Sequence, residues 1–289
     1  MAGASGASAG GAATAVGDLA RRVLAGDRKA AARAISIVED QGAQAGPLLD
    51  ALYPATGKAY RVGVTGPPGA GKSTLTAALA ERLREGGRTV GIVAIDPTSP
   101  FTGGALLGDR IRMTKVSTDP GVFIRSMASR GALGGIARTT GEACDVLDAS
   151  GKETVFIETV GVGQSEVEVA GAADTVCVVV SPEAGDAIQT MKAGLMEIAH
   201  VFVVNKCDRE GADRMVRAIE SMLELAMPAD GWIPPVVKTA ASSGEGVADL
   251  VATLEKHRGF LREKGLLDRK RRDRVRARIR SLFEEKLLI

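Results

Sequence analysis

Residues 66–74, Gly66-Pro67-Pro68-Gly69-Ala70-Gly71-Lys72-Ser73-Thr74, restrict the possible folds more than any other stretch of the chain. They fit G-x-x-x-x-G-K-[ST], with Gly66, Gly71, Lys72 and Ser73 in the fixed places. The run before them, Tyr60-Arg61-Val62-Gly63-Val64-Thr65, has the length and apolar content of a buried strand. The run after them sets Leu75, Leu79 and Leu83 on one helical face. Strand, loop and helix together form the context that the motif requires. Glycines let backbone N–H groups turn inward around an anion, and the helix N-terminus adds its dipole. Lys72 can then reach the β and γ phosphates of a nucleotide, and Ser73 can ligate magnesium.

A site of this kind dictates what later strands must supply. Residues 88–95 read as a second strand that ends in Asp96, where ligands bind in an open α/β sheet. Asp96 is a candidate for the magnesium shell, with a turn or cap before Pro97 as the alternative. The stretch 101–113, FTGGALLGDRIRM, suits a switch loop in which Asp109 approaches the metal and Arg110 or Arg112 a phosphate or partner. A solvated Asp-Arg pair is the other reading of those residues. Residues 153–157 form an apolar strand that empties into Glu158-Thr159-Val160-Gly161-Val162-Gly163-Gln164. In this acid-x-x-Gly element the acid holds magnesium through water, and the Gly161 N–H can bond the γ-phosphate. Another apolar strand, 174–180, leads to Ser181-Pro182-Glu183-Ala184-Gly185-Asp186, followed by Gln189 and Lys192.

The strand 201–204 ends in Asn205-Lys206-Cys207-Asp208, an N-K-x-D element. A carboxylate accepts from both N1–H and the exocyclic amine of guanine, whereas adenine offers no such pair of donors, so Asp208 selects GTP over ATP. A last strand, 236–238, precedes Thr239-Ala240-Ala241-Ser242, whose small side chains let backbone approach the base edge. Strands alternating with helices predict an α/β fold of the P-loop NTPase kind, a mostly parallel sheet flanked by helices. GTP or GDP is the expected ligand and Mg2+ the expected cofactor.

Outside this core the sequence is less demanding. Residues 1–17 are Ala/Gly/Ser-rich, lack the basic start and Leu-rich middle of a secretion signal, and read as a disordered tail. Apolar spacing predicts two helices in an N-terminal extension over 18–55. The nucleotide domain then covers 56–258, and a C-terminal helical arm covers 259–289. In that arm a basic run, 269–280, is crossed by Val275, Ile279, Leu282, Phe283 and Leu287 at helical spacing. Such a helix serves as a homodimer or partner arm, as a solvated face over an ordinary core, or as a nucleic-acid site; the last is disfavoured because no aromatics accompany the arginines. Net charge is +2, which gives no general attraction to nucleic acid or membrane. No apolar run approaches the ~18 residues of a transmembrane helix. Cys144, Cys177 and Cys207 lie far apart without C-x-x-C spacing, as in a reduced cytoplasmic protein. His200 reads as a strand-edge residue, and two histidines cannot build a His-rich metal site.

The words GPPGAGKST, DPTSPFTGGALLGDRIRM, ETVGVGQSE, PEAGDAIQTMKAG and NKCD, spread from residue 60 to 243, together resemble the MeaB/ArgK family of GTPases. That family includes the human methylmalonic aciduria type A protein. Its members are GTP-dependent chaperones of adenosylcobalamin-dependent acyl-CoA mutases such as methylmalonyl-CoA mutase, gating cofactor loading and protecting or reactivating the mutase. The resemblance implies phosphate and magnesium binding by Lys72 and Ser73, and a metal-linked first switch containing Asp96 and Asp109. It implies a second switch at Glu158 and Gly161, and guanine reading by Asn205, Lys206 and Asp208. Asp186, Gln189 and Lys192 resemble a third switch that responds to the mutase. Hydrolysis is expected to be slow alone and faster with the partner, with Lys72, Glu158 and Lys192 as the catalytic candidates. The competing readings are a metal-delivery GTPase, which lacks a Cys/His cluster here, a small-molecule kinase, which lacks a base for an acceptor, and a nucleic-acid-binding GTP switch using 269–280.

Overall fold

The computed structural model describes residues 6–96, 113–128, 135–159, 165–183, 194–224 and 230–287. Seven strands make one sheet: β1 (Tyr60–Thr65), β2 (Val90–Asp96), β3 (Val122–Ala128), β4 (Thr154–Thr159), β5 (Thr175–Val180), β6 (Val201–Asn205) and β7 (Val236–Thr239). Their order is β3-β2-β4-β1-β5-β6-β7, and every pairing is parallel. All residues of β1, β4, β5 and β6 are buried, which is why these strands read as continuous apolar runs rather than alternating ones. The sheet is the α/β architecture expected from the sequence.

Helices cover both faces. On one side lie α1 (Gly6–Leu24), α2 (Arg28–Glu39) and α3 (Ala45–Leu52), together with α6 (Gly135–Ala149), α7 (Ser165–Ala172), α8 (Leu195–Ile198) and α9 (Ala212–Leu223). On the other lie α4 (Lys72–Glu85), α5 (Thr114–Ser117) and α10 (Val247–Glu263), with Leu75, Leu79, Leu250 and Leu254 against Val62, Val64 and Val203. A last helix, α11 (Leu266–Leu287), follows α10.

The N-terminal part differs from its sequence reading in two ways. Helix begins at Gly6 rather than after residue 17; the burial of Val16, Leu19, Ala20 and Val23 anchors its C-terminal half in the core. The extension also holds three helices instead of two. The missed break is at Gly26, whose φ of 79° ends α1, and Asp27 then caps α2 by accepting from the N–H of Lys29 at 2.8 Å and of Ala30 at 3.1 Å.

The C-terminal boundary also moves. A division between 258 and 259 falls inside α10, where His257 and Leu261 are fully buried. Beyond it, α11 lies on the body of the protein. Arg274 donates to Asp174 Oδ1 at 2.6 Å and to Ala172 O at 3.0 Å. Arg278 pairs with Asp145 at 3.1 Å and Glu142 at 3.2 Å. Arg271 donates to the carbonyls of Gly57 and Ala59. These three arginines of the basic run are therefore tied within the chain.

His200 is half-buried rather than a simple strand-edge residue. Its Nδ1 accepts from the Val176 N–H at 3.1 Å, and Lys270 Nζ lies 2.6 Å from its Nε2. Cys144 and Cys177 are buried free thiols, and Cys207 is half-buried. Among the described residues, no helix is long and apolar enough to cross a membrane.

Candidate guanine nucleotide site

In the sheet order, β1 has β4 on one side and β5 on the other; the connection after β1 runs to β2 on the β4 side, and the connection after β4 crosses to β5 on the opposite side. Ligands of open parallel sheets bind in the crevice at such a switch point. The phosphate loop leaves β1 there, Asp96 closes β2, Glu158 lies near the end of β4, and Asn205 closes β6. The described sequence-predicted residues thus gather at one edge although they span more than a hundred positions.

Local geometry explains the loop. Gly71 has φ of 88° directly before α4, and a Cβ placed on it would lie 2.4 Å from Asn205 Nδ2. Only glycine fits both conditions. Lys72 is buried and donates from Nζ to Gly66 O at 2.8 Å and Pro67 O at 3.0 Å, so its ammonium is held inside the loop it serves. Ser73 Oγ donates to Glu158 Oε1 at 2.5 Å, with both side chains buried. Below this pair, Thr159 Oγ1 donates to Thr65 Oγ1 at 2.9 Å and ties β4 to β1.

The second half is organised by Asn205. Its Nδ2 donates to Ala70 O at 2.8 Å, and its Oδ1 accepts from Thr239 Oγ1 and from the Ala241 N–H, each at 3.1 Å. One buried amide therefore joins the phosphate loop, the end of β6 and the loop after β7. Ala240 and Ala241 are buried in that loop, while Ser242 is exposed. Lys206 has φ of 58° and places Nζ 2.5 Å from Glu183 Oε2. Asp208 is exposed, with its carboxylate 3.5 Å from Arg209 Nε.

Ser73 and Glu158 present a hydroxyl and a carboxylate side by side. These hard oxygen donors suit Mg2+, which takes one or two protein ligands and completes its shell with waters and phosphate oxygens. Among the described residues no group of three or more His, Cys, Asp or Glu side chains is arranged to hold a metal ion. Asp96 lies at the same strand edge. Asp109, Arg110, Gly161, Gln164, Asp186, Gln189 and Lys192 lie outside the described residues. Sequence reasoning gave no role to Thr65, Thr159, Thr239 or Glu183, although each lies in a stretch it singled out, because their partners are distant in the chain.

A family model described as "Methylmalonyl Co-A mutase-associated GTPase MeaB" matches residues 31–289. The chain belongs to the MeaB family of GTPases. A putative GTPase of Pyrococcus abyssi is 53% identical over 272 residues, covering 92% of this chain and 83% of that protein. The mouse mitochondrial methylmalonic aciduria type A homolog is 37% identical over 233 residues, covering 79% of this chain and 56% of that protein. Among solved structures, a LAO/AO transport system kinase superposes with a TM-score of 0.80 at 29% identity, covering 95% of this chain and 85% of that chain. As in other P-loop GTPases, the MeaB-family site sits on a parallel sheet flanked by helices.

Proposed function

We propose that this MeaB-family GTPase is a chaperone of an adenosylcobalamin-dependent acyl-CoA mutase of the methylmalonyl-CoA type, using GTP hydrolysis to gate cofactor loading and to protect or reactivate the mutase. The observation that carries the nucleotide reading is the Asn205 amide, which makes the phosphate loop and the base loop one unit. The family relationship supports the partner.

In this reading Asp208 accepts from guanine N1–H and the exocyclic amine, and Lys206 covers the base. The loop 66–74 wraps the phosphates with backbone N–H groups. Lys72 exchanges its carbonyl partners for phosphate oxygens and offsets the charge that develops as water attacks the γ-phosphorus in line. Ser73 and Glu158 would hold Mg2+, with Asp96 and Asp109 as further candidate donors, and the ion would supply neutralisation of the phosphate charge. Glu158 also orders the attacking water. Gly161 and Gln164 form the switch that senses the γ-phosphate, and Arg110 belongs to the first switch. Asp186, Gln189 and Lys192 form the switch that answers to the mutase. The protein acts in the cytoplasm as a homodimer.

Steady-state hydrolysis of GTP, with ATP as control, tests this with and without a purified adenosylcobalamin-dependent acyl-CoA mutase from the same source. The expected result is slow GTP turnover, at least tenfold faster with the mutase, with the stimulation lost in Lys192→Ala; a partner contribution of this size is on the order of 1.4 kcal/mol in the barrier. Turnover that no such mutase alters would remove the partner while leaving the GTPase.

A further inference from the structure

Strands β5 and β6 run side by side with Val180 opposite Val204, so the residues that follow each strand emerge as neighbours. Ser181 is buried at the end of β5, and Pro182 lies under the turn after β6, its Cβ 3.6 Å from where a Cβ on Gly211 would sit. The next side chain, Glu183, reaches across. Its Oε2 takes Lys206 Nζ at 2.5 Å, and its Oε1 lies 3.8 Å from Arg209 Nε. Arg209 is meanwhile 3.5 Å from Asp208 Oδ2. The hydrogen bond from Lys206, reinforced by its charge, holds the Glu183 carboxyl below the usual carboxylate range.

Two features of the base loop make this contact consequential. Lys206 adopts a left-handed conformation, with φ of 58°, that a side-chain-bearing residue does not favour. The Arg209 N–H to Lys206 O bond at 2.9 Å and the Cys207 N–H to Thr239 O bond at 3.0 Å close the turn through backbone, and the Lys206 side chain gets its direction from Glu183. Arg209 lies between two carboxylates, 3.5 Å from Asp208 Oδ2 and 3.8 Å from Glu183 Oε1. Glu183 offers Arg209 a second carboxylate.

We propose that Glu183 is a positioning residue for guanine recognition: it anchors the Lys206 side chain beside the base site. It does not touch the reacting phosphates. The inference rests on the assignment of Asp208 and Lys206 to the base.

The test measures GDP affinity and dissociation rate on the full chain for wild type, Glu183→Gln, Lys206→Met, the double variant and Asp208→Asn, at low and at about 1 M salt. Because Glu183 and Lys206 form a partly exposed pair, Glu183→Gln is expected to weaken GDP binding roughly threefold to fivefold at low salt, mainly through faster dissociation. The effect should shrink at ~1 M salt, where the Debye length is about 3 Å. It should vanish in the Lys206→Met background. A purely structural role would move thermal stability equally in both backgrounds and would not follow salt in this way. Unchanged GDP affinity in Glu183→Gln, with Asp208→Asn weakened as expected, overturns the inference alone, as does an equal loss in both Lys206 backgrounds. Unchanged GDP affinity in Asp208→Asn overturns the base assignment and this inference together.

Discussion

At the residue scale, two glycines of one loop separate steric from conformational demands. Gly69 and Gly71 both have left-handed φ, 78° and 88°. A Cβ at Gly69 meets nothing within 4 Å, whereas at Gly71 it meets Asn205 Nδ2 at 2.4 Å. Gly69→Ala therefore bears only the conformational cost of a left-handed alanine, about 1–2 kcal/mol, and retains nucleotide binding. Gly71→Ala adds a clash with the amide that joins the two halves of the site. It is expected to weaken GDP binding by more than about tenfold beyond Gly69→Ala, that is by at least ~1.4 kcal/mol, in a fluorescent-GDP titration. Equal affinities for the two variants would show that Asn205 moves aside at little cost. The glycine pattern was legible in the sequence, but not the different reasons for its members.

At the element scale, α10 and α11 meet the sheet through a histidine cluster on the edge away from the phosphate loop. The rings of His200 and His257 are 4.6 Å apart, and the Trp232 ring is tilted 58° against His257 at 4.7 Å. Thr175 Oγ1 lies 2.7 Å from His257 Nδ1 and also bonds Tyr60, whose hydroxyl donates to Leu254 O at 3.0 Å. Burial, followed by the charge of Lys270, pushes His257 down to about 4 and His200 down to about 2. The neighbouring charge of His257 adds to the effect on His200, while Asp174 and Asp230 act weakly in the opposite sense on His257. Both rings are thus neutral in the folded protein, while an unfolded histidine titrates near 6.5. The unfolded state binds more protons below that value, so this contribution is complete above about pH 6.5 and is lost as pH falls toward the folded values. Urea denaturation between pH 8 and pH 4 is expected to show a flat region followed by a fall of up to about 1.4 kcal/mol per pH unit per histidine. His257→Asn should be less stable at pH 8 but have a shallower fall; an unchanged slope would assign the acid sensitivity to carboxylates instead.

At the scale of the whole molecule, α11 has two faces with different tasks. Its inner arginines meet Asp174, Asp145 and Glu142 on the body, and the Asp174 carboxyl is completely buried between Arg274 and the Arg61 backbone N–H. Removing one partner of such a pair leaves a buried charge, so cutting the chain after Leu261 would unsettle the body as well as delete the arm. The outer face exposes Val275, Ile279 and Phe283 at 37%, 49% and 64%, one helical turn apart. Ile279→Asp with Phe283→Asp therefore tests the proposed homodimer without uncovering Asp174. Sizing with light scattering is expected to give monomers with unchanged GTP turnover alone, and a variant that stays dimeric would refute the arm as the interface. The sequence by itself determined the parallel α/β core, the phosphate loop, the acid near the end of β4 and the N-K-x-D element, because each depends on short-range spacing and on buried strands with continuous apolar composition. Tertiary structure alone decided the pairing of the basic run with Asp174, Asp145 and Glu142, and the neutral histidine cluster. It also decided that Glu183 faces Lys206. The physical reason is that charge and hydrogen-bond partners separated by tens to hundreds of residues leave no period in a chain, and only the packing of strands and helices brings them within reach.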